Sequence, residues 1–319
     1  MAVALVAVAA LLAVLPVPAT SWRASRVAAQ VVRAPHTVLQ GAGTLPRSPK
    51  DVATEVSVAV GVALREGRQR LWIVTPNDLV FGLFGKPMGK QVLGNPDVRA
   101  PTSLLLRCER ELAYLMVEMF QDYAASCVVV FCDRTRVKAA EKDWKTAAVR
   151  PGRIVSGLSE LKKPVGFGKG AAAAGAPKVV IVSRPSSADL AELAPFAEEL
   201  GLDAVIVLLN PQGRPEGYFT AFTMLDNPHP NWAGGLLYQA HPGPWILGAA
   251  GNNGEVKVHG TSKRRPTLDE IDAGFDKVAS DTNWFSGGGV AAALRRRGAT
   301  VAAGAVSYTH LTLPTKRIV

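Results

Sequence analysis

The sequence predicts an α/β fold: a doubly wound, mainly parallel sheet of Rossmann-like type, with a small antiparallel β extension near the C-terminal end. Three observations point there. Unbroken apolar runs at 70–75 (RLWIVT), 126–132 (SCVVVFC), 179–183 (VVIVS) and 203–209 (DAVIVLL) have the composition of strands covered by helices on both faces. Segments of helical period alternate with these runs, which argues for parallel pairing through crossovers. Three shorter runs follow at 235–240, 245–249 and 255–259. They are separated by Pro242-Gly243-Pro244 and Asn252-Asn253-Gly254, which argues for antiparallel strands joined by turns.

Taken in order, Ser48-Pro49-Lys50-Asp51 opens the first helix with a capping hydroxyl, a proline at the first helical position and an acid three residues after the cap. Val52, Val56, Val60 and Leu64 then share one face, and Gly67 supplies the stop. The first strand ends at Pro76. A Gly- and Pro-rich loop, 77–101, leads to a longer helix with Leu105, Cys108, Leu112, Leu115, Met116 and Met119 at helical spacing. Its Arg107, Arg110, Glu111 and Glu118 read as a solvated face. After the second strand, 138–144 reads as a short helix, and the chain loosens into an insertion or linker at about 162–176. Ser186 and Asp189 spell a capping box for the next helix, which Pro195 is expected to kink or split. A last helix is expected at 268–278.

The charges divide the chain. No Asp or Glu precedes Asp51 and none follows Asp281, so 48–285, with 27 Lys and Arg against 26 Asp and Glu, is a nearly neutral single α/β domain of roughly 240 residues. Residues 1–21 are an apolar, signal-like leader too short for a typical spanning helix. Residues 22–47 carry Arg23, Arg26, Arg33 and Arg47 with scattered Ser and Thr, the composition of a transit peptide. Together they resemble the bipartite leader of plastids bounded by extra membranes; a secretory signal, a single anchor or a simple transit peptide are the alternatives. The tail, 286–319, is Gly-, Ala- and Arg-rich and expected to be disordered. Its end, 306–319 (VSYTHLTLPTKRIV), resembles translated sequencing-adapter DNA.

Chemistry is sparse. Cys108, Cys127 and Cys132 are too few for a disulfide framework and read as buried apolar residues. No G-x-G-x-x-G follows a strand, and no G-x-x-x-x-G-K-[ST] or G-x-S-x-G occurs, so the usual phosphate cradles and nucleophile elbow are missing. His229, His241 and His259 lack metal-ligand spacing, and neither a metal nor another cofactor is expected. Lys263-Arg264-Arg265 is the one basic run of the domain. It has no interleaved aromatics, so nucleic acid is not an expected partner. In an open α/β sheet, ligands gather at the C-terminal ends of the strands. Those ends carry Asp133, Arg184, Ser186, Ser187 and Asn210, candidates for holding a phosphate or carboxylate in a small-ligand-binding or enzymatic domain. The same residues also fit an ordinary serine cap beside a surface arginine.

A set of short segments in fixed order carries a resemblance. They are Gly67-Arg68-Gln69-Arg70-Leu71, Arg107-Cys108-Glu109-Arg110-Glu111-Leu112, Asp143-Trp144, Ser183 to Ser187, Leu208-Leu209-Asn210-Pro211, and Tyr238-Gln239-Ala240-His241-Pro242-Gly243-Pro244-Trp245. Across about 48–278 the chain resembles the domain-of-unknown-function family of plants, algae and cyanobacteria that includes the chloroplast Low Photosystem II Accumulation assembly factor. The resemblance implies a plastid protein of the stroma or thylakoid surface. It would support photosystem II assembly or accumulation by contact with photosystem II subunits or assembly proteins, without catalysis and with a possible peripheral thylakoid association. Trp232, Tyr238, His241 and Trp245 would then form an aromatic contact surface around the Pro242-Gly243-Pro244 turn; a buried Trp245 is the competing reading.

Overall fold

The computed structural model describes residues 45–46, 48–84, 101–161, 177–201, 204–230, 232–250, 256–280 and 295–296. Of the two-part leader at 1–47, residues 1–44 and 47 lie outside them, as do the insertion at 162–176, the Asn252-Asn253-Gly254 turn and the peptide at 306–319. The first helix, α1 (Pro49–Arg65), starts as the sequence dictates: Ser48 Oγ accepts from the N–H of Asp51, and Pro49 stands at its first position. It leads to β1 (Arg70–Val74). Then come α2 (Thr102–Met119), β2 (Cys127–Phe131), α3 (Arg134–Asp143), β3 (Arg153–Ser156), β4 (Val179–Ser183), α4 (Ser187–Leu200) and β5 (Val205–Leu209). Strands β6 (Phe219–Asp226), β7 (Trp232–Ala233), β8 (Gly235–Ala240), β9 (Trp245–Ala250) and β10 (Val256–Ser262) follow, then α5 (Leu268–Ser280) and β11 (Arg295–Arg296).

Nine strands form one mixed sheet in the order β10-β9-β8-β6-β1-β5-β4-β2-β3. The six strands from β6 to β3 are parallel, and β6, β8, β9 and β10 pair antiparallel. The expected late antiparallel strands are thus a continuation of the main sheet. Strands β3 and β6 were not foreseen in the sequence. RIVS is too short to stand out, and FTAFTMLD, framed by Gly217 and Asn227, has its apolar period broken by threonines. A register shift between Trp72 and Ile73 where β1 meets β6 accompanies that break. Within the expected disordered tail, Arg295–Arg296 pairs antiparallel with Trp232–Ala233.

Alternate residues of β1, β2, β4 and β5 feed two cores. Leu71, Ile73, Val129, Ile181 and Val207 pack under α1, α2 and α3; Trp72, Val128, Val180, Ile206 and Leu208 pack under α4. A third cluster joins α5 to β8 and β9 through Ile271, Phe275, Leu237 and Ala249. Helices therefore cover both faces, which is why these strands read as continuous apolar runs. Pro195 lies inside α4, which runs unbroken in assignment from Ser187 to Leu200.

Candidate functional site

The direction of chain travel locates the crevice of this sheet. From β1 through β2 to β3 the strands progress toward one edge, with α2 and α3 on one face; from β4 to β5 they step back the other way, with α4 on the opposite face. A single crossover handedness produces this pattern. The connections leaving the neighbours β2 and β4 diverge to opposite faces, and a ligand crevice forms where they part. The strand ends there line up as Thr75, Asn210, Ser183-Arg184, Cys132-Asp133 and Ser156-Gly157.

All five predicted ligand candidates reach this edge, and most are already engaged. Asp133 caps α3: Oδ1 accepts from the N–H of Arg136 at 2.9 Å, and Oδ2 accepts from Arg136 Nη1. The backbone N–H first, and the guanidinium as well, hold its carboxyl below the usual range. Ser186 forms the expected capping box with Asp189, whose Oδ2 accepts from the Ser186 N–H at 2.8 Å. A carboxylate thus already occupies the positive end of α4, where an incoming anion would have to sit. Asn210 ties β5 to β1, accepting from the Thr75 N–H at 2.7 Å and donating to Thr75 Oγ1 at 3.3 Å. Asn210 and Arg184 both adopt left-handed backbone, with φ of 47° and 50°. Asparagine tolerates that region; for arginine it is uncommon. Arg184 and the exposed Ser187 keep side chains clear of these ties.

Beneath this rim lies a network that the sequence alone did not reveal. Glu109 is buried, and its Oε2 accepts from Arg136 Nε at 2.9 Å while Oε1 accepts from Ser183 Oγ at 3.1 Å. Arg136 also donates to Cys132 Sγ. The next residue of α2, Arg110, meets Asp143 Oδ2 through Nε at 2.8 Å. Glu111, fully buried, accepts from Arg107 Nε at 2.8 Å and from the Gly82 N–H at 2.7 Å. Reading α2's charges as a solvated face fails for Glu111, Arg107 and Arg110: the chain after β1 and the end of α3 fold over that face, and pairing offsets the cost of burial. Glu118 is exposed, as expected. Cys132 is also exposed, unlike Cys108 and Cys127, because it stands past the strand end where side chains turn outward. The crevice, bounded by Phe131, Cys132, Leu158, Ser183, Pro185 and Asp189, encloses about 10 Å³, the room of a single water molecule.

The aromatic contact surface does not form. Trp232, Tyr238 and Trp245 are buried at 1%, 4% and 8% exposure, because β8 is an interior strand with α1 on one face and α5 on the other. Trp232 Nε1 donates to Asp272 Oδ1 at 2.7 Å, and its ring packs 6.0 Å from Phe275. Tyr238 meets Phe222 edge-on at 5.7 Å. His241 lies at the opposite end of the sheet from that crevice, beside the starts of β1 and β6, with Nε2 2.9 Å from Glu66 Oε2 and its ring edge-on to Phe219 at 4.8 Å.

Among the described residues no three His, Cys, Asp or Glu side chains are grouped to hold a metal ion, and no helix is long and apolar enough to cross a membrane. Comparison with family profiles, curated proteins and solved structures finds no match.

Proposed function

We propose that this chain is a plastid protein that supports the assembly or accumulation of photosystem II through contacts with other proteins, without catalysis. One observation carries the reading: the segments that bear the family resemblance interlock in space. Glu109 of the Arg107-to-Leu112 segment binds Ser183 of the Ser183-to-Ser187 segment. Arg110 pairs with Asp143 of Asp143-Trp144. Asn210 of the Leu208-to-Pro211 segment fastens the end of β1, whose opening residues, Arg70 and Leu71, close another. Segments that were matched only by order along the chain thus meet as parts of one internal framework. Their charges are engaged in holding that framework, which favours a scaffold that presents a surface over one that performs chemistry.

The sheet, with helices on both faces and a crevice at β2 and β4, supports reading the architecture as a variant of the doubly wound, Rossmann-like type. Its parallel strand order places β1 between β5 and β6. The plastid address rests on the composition of residues 1–47, and membrane association in this reading is peripheral.

Affinity capture of the tagged full chain from solubilised plastid membranes tests the proposal, with photosystem II content measured after depletion. Enrichment of photosystem II subunits or assembly proteins over an unrelated α/β control, together with loss of the photosystem, is the expected result. Normal photosystem II levels after depletion would refute it.

A further inference from the structure

The sheet face that carries α4 and α5 has a gap in its cover. α4 packs over β2, β4 and β5, and α5 over β8 and β9, but β5 passes to β6 without a helix, through 210–218. The loop leaves a groove of about 430 Å³ above β1 and β6, a size that holds a small molecule. Trp72 and Thr220 floor it, joined by a hydrogen bond from Trp72 Nε1 to Thr220 Oγ1; Arg214, Glu216 and Tyr218 wall it.

Arg265 reaches the same place from the basic run before α5. Its guanidinium stands 5.6 Å from the Trp72 ring and 5.6 Å from the Trp245 ring, so it bridges the two indoles. The aromatics that the sequence around Lys263-Arg264-Arg265 lacks are supplied by distant strands. Burial, and then the nearby charge of Arg214, lower the pKa of Arg265. Among the described residues neither arginine has an ion-pair partner, and Glu216 pairs with neither. Two like charges converge on an open, aromatic-floored groove that also carries the Glu216 carboxylate on its wall, and guanidinium forks bind phosphate and carboxylate oxygens well.

We propose that this groove binds a small oxyanion-bearing molecule, a phosphate or a carboxylate, held between Arg214 and Arg265 beside the Trp72 ring. The site is separate from the closed crevice at the strand ends, and it does not depend on any role in photosystem II. The test is calorimetric titration of the full chain with inorganic phosphate and, separately, with acetate. One of the two should bind saturably at one site, assigning the phosphate or the carboxylate class. Arg214→Gln should weaken that binding about tenfold or more, since charge-assisted hydrogen bonds are lost, while Lys263→Gln should leave it unchanged. Arg265→Gln should act like Arg214→Gln; should it unfold, the exposed Arg214 still decides the matter. Absence of saturable binding by both anions into the millimolar range, or binding that Arg214→Gln leaves intact, would overturn the proposal.

Discussion

Glu109 shows how much one side chain can hold. Its carboxylate accepts from Ser183 on β4 and from Arg136 on α3, so a single residue of α2 joins three elements from a buried position. Glu109→Gln leaves the Arg136 guanidinium without its main counter-charge, and removing one partner of a buried pair costs about 3 kcal/mol or more. The expected result is a lower urea midpoint at unchanged slope. Glu55 works in the opposite sense. Burial raises its carboxyl pKa against the hydrogen bond from Tyr238, so the folded state favours its protonated form. Its ionisation therefore weakens the fold as pH rises from about 4 toward neutrality. Glu55→Gln should gain stability relative to wild type over that span, and parallel denaturation curves at the two pH values measure the difference.

At the level of elements, sequence and structure agree where local physics decides. The Ser48 and Ser186 caps, the continuous apolar runs of β1, β2, β4 and β5, and the final helix were all legible, because caps and covered strands leave their mark in neighbouring residues. Strand β6 was not, since its pattern is broken by threonines paired opposite β1, one of which, Thr220, lines the groove. Of the candidate site, the strand-end position of Asp133, Arg184, Ser186, Ser187 and Asn210 could be read. The tie of Asn210 to Thr75 could not, because the two lie 135 residues apart along the chain. The aromatic turn misled for a related reason: a Trp- and Tyr-rich strand looks alike whether it is an edge or, like β8, an interior strand. The seat of α5 on β8 offers a direct check. A Cβ at Gly235 would stand 2.4 Å from Phe275 Cζ, so Gly235→Ala must displace the Phe275 ring that seats the helix. Overpacking of this kind costs about 1–3 kcal/mol, and the thermal midpoint should fall accordingly.

For the molecule as a whole, burial divides the three thiols into two classes. Cys108 and Cys127 lie inside, where burial pushes each thiol up to about 12, while Cys132 is exposed at the end of β2. A thiol reagent should therefore titrate one group in the native protein and all three after denaturation, and Cys132→Ser should abolish the native fraction. Labelling of more than one thiol under native conditions would contradict the packing described for α2 and β2.

Strand β1 is the first to leave the ribosome and one of the last to be completed. Arg70 pairs with Ile206 on one side, and Leu71 with Phe219 on the other. Nothing made during the intervening synthesis gives β1 a sheet neighbour, so both of its hydrogen-bonding edges stay open until β5 and β6 arrive. Such distant pairing slows folding and lengthens the time an apolar strand is at risk of associating with other chains. A nascent or truncated chain ending before β6 would thus keep an adhesive edge along RLWIV.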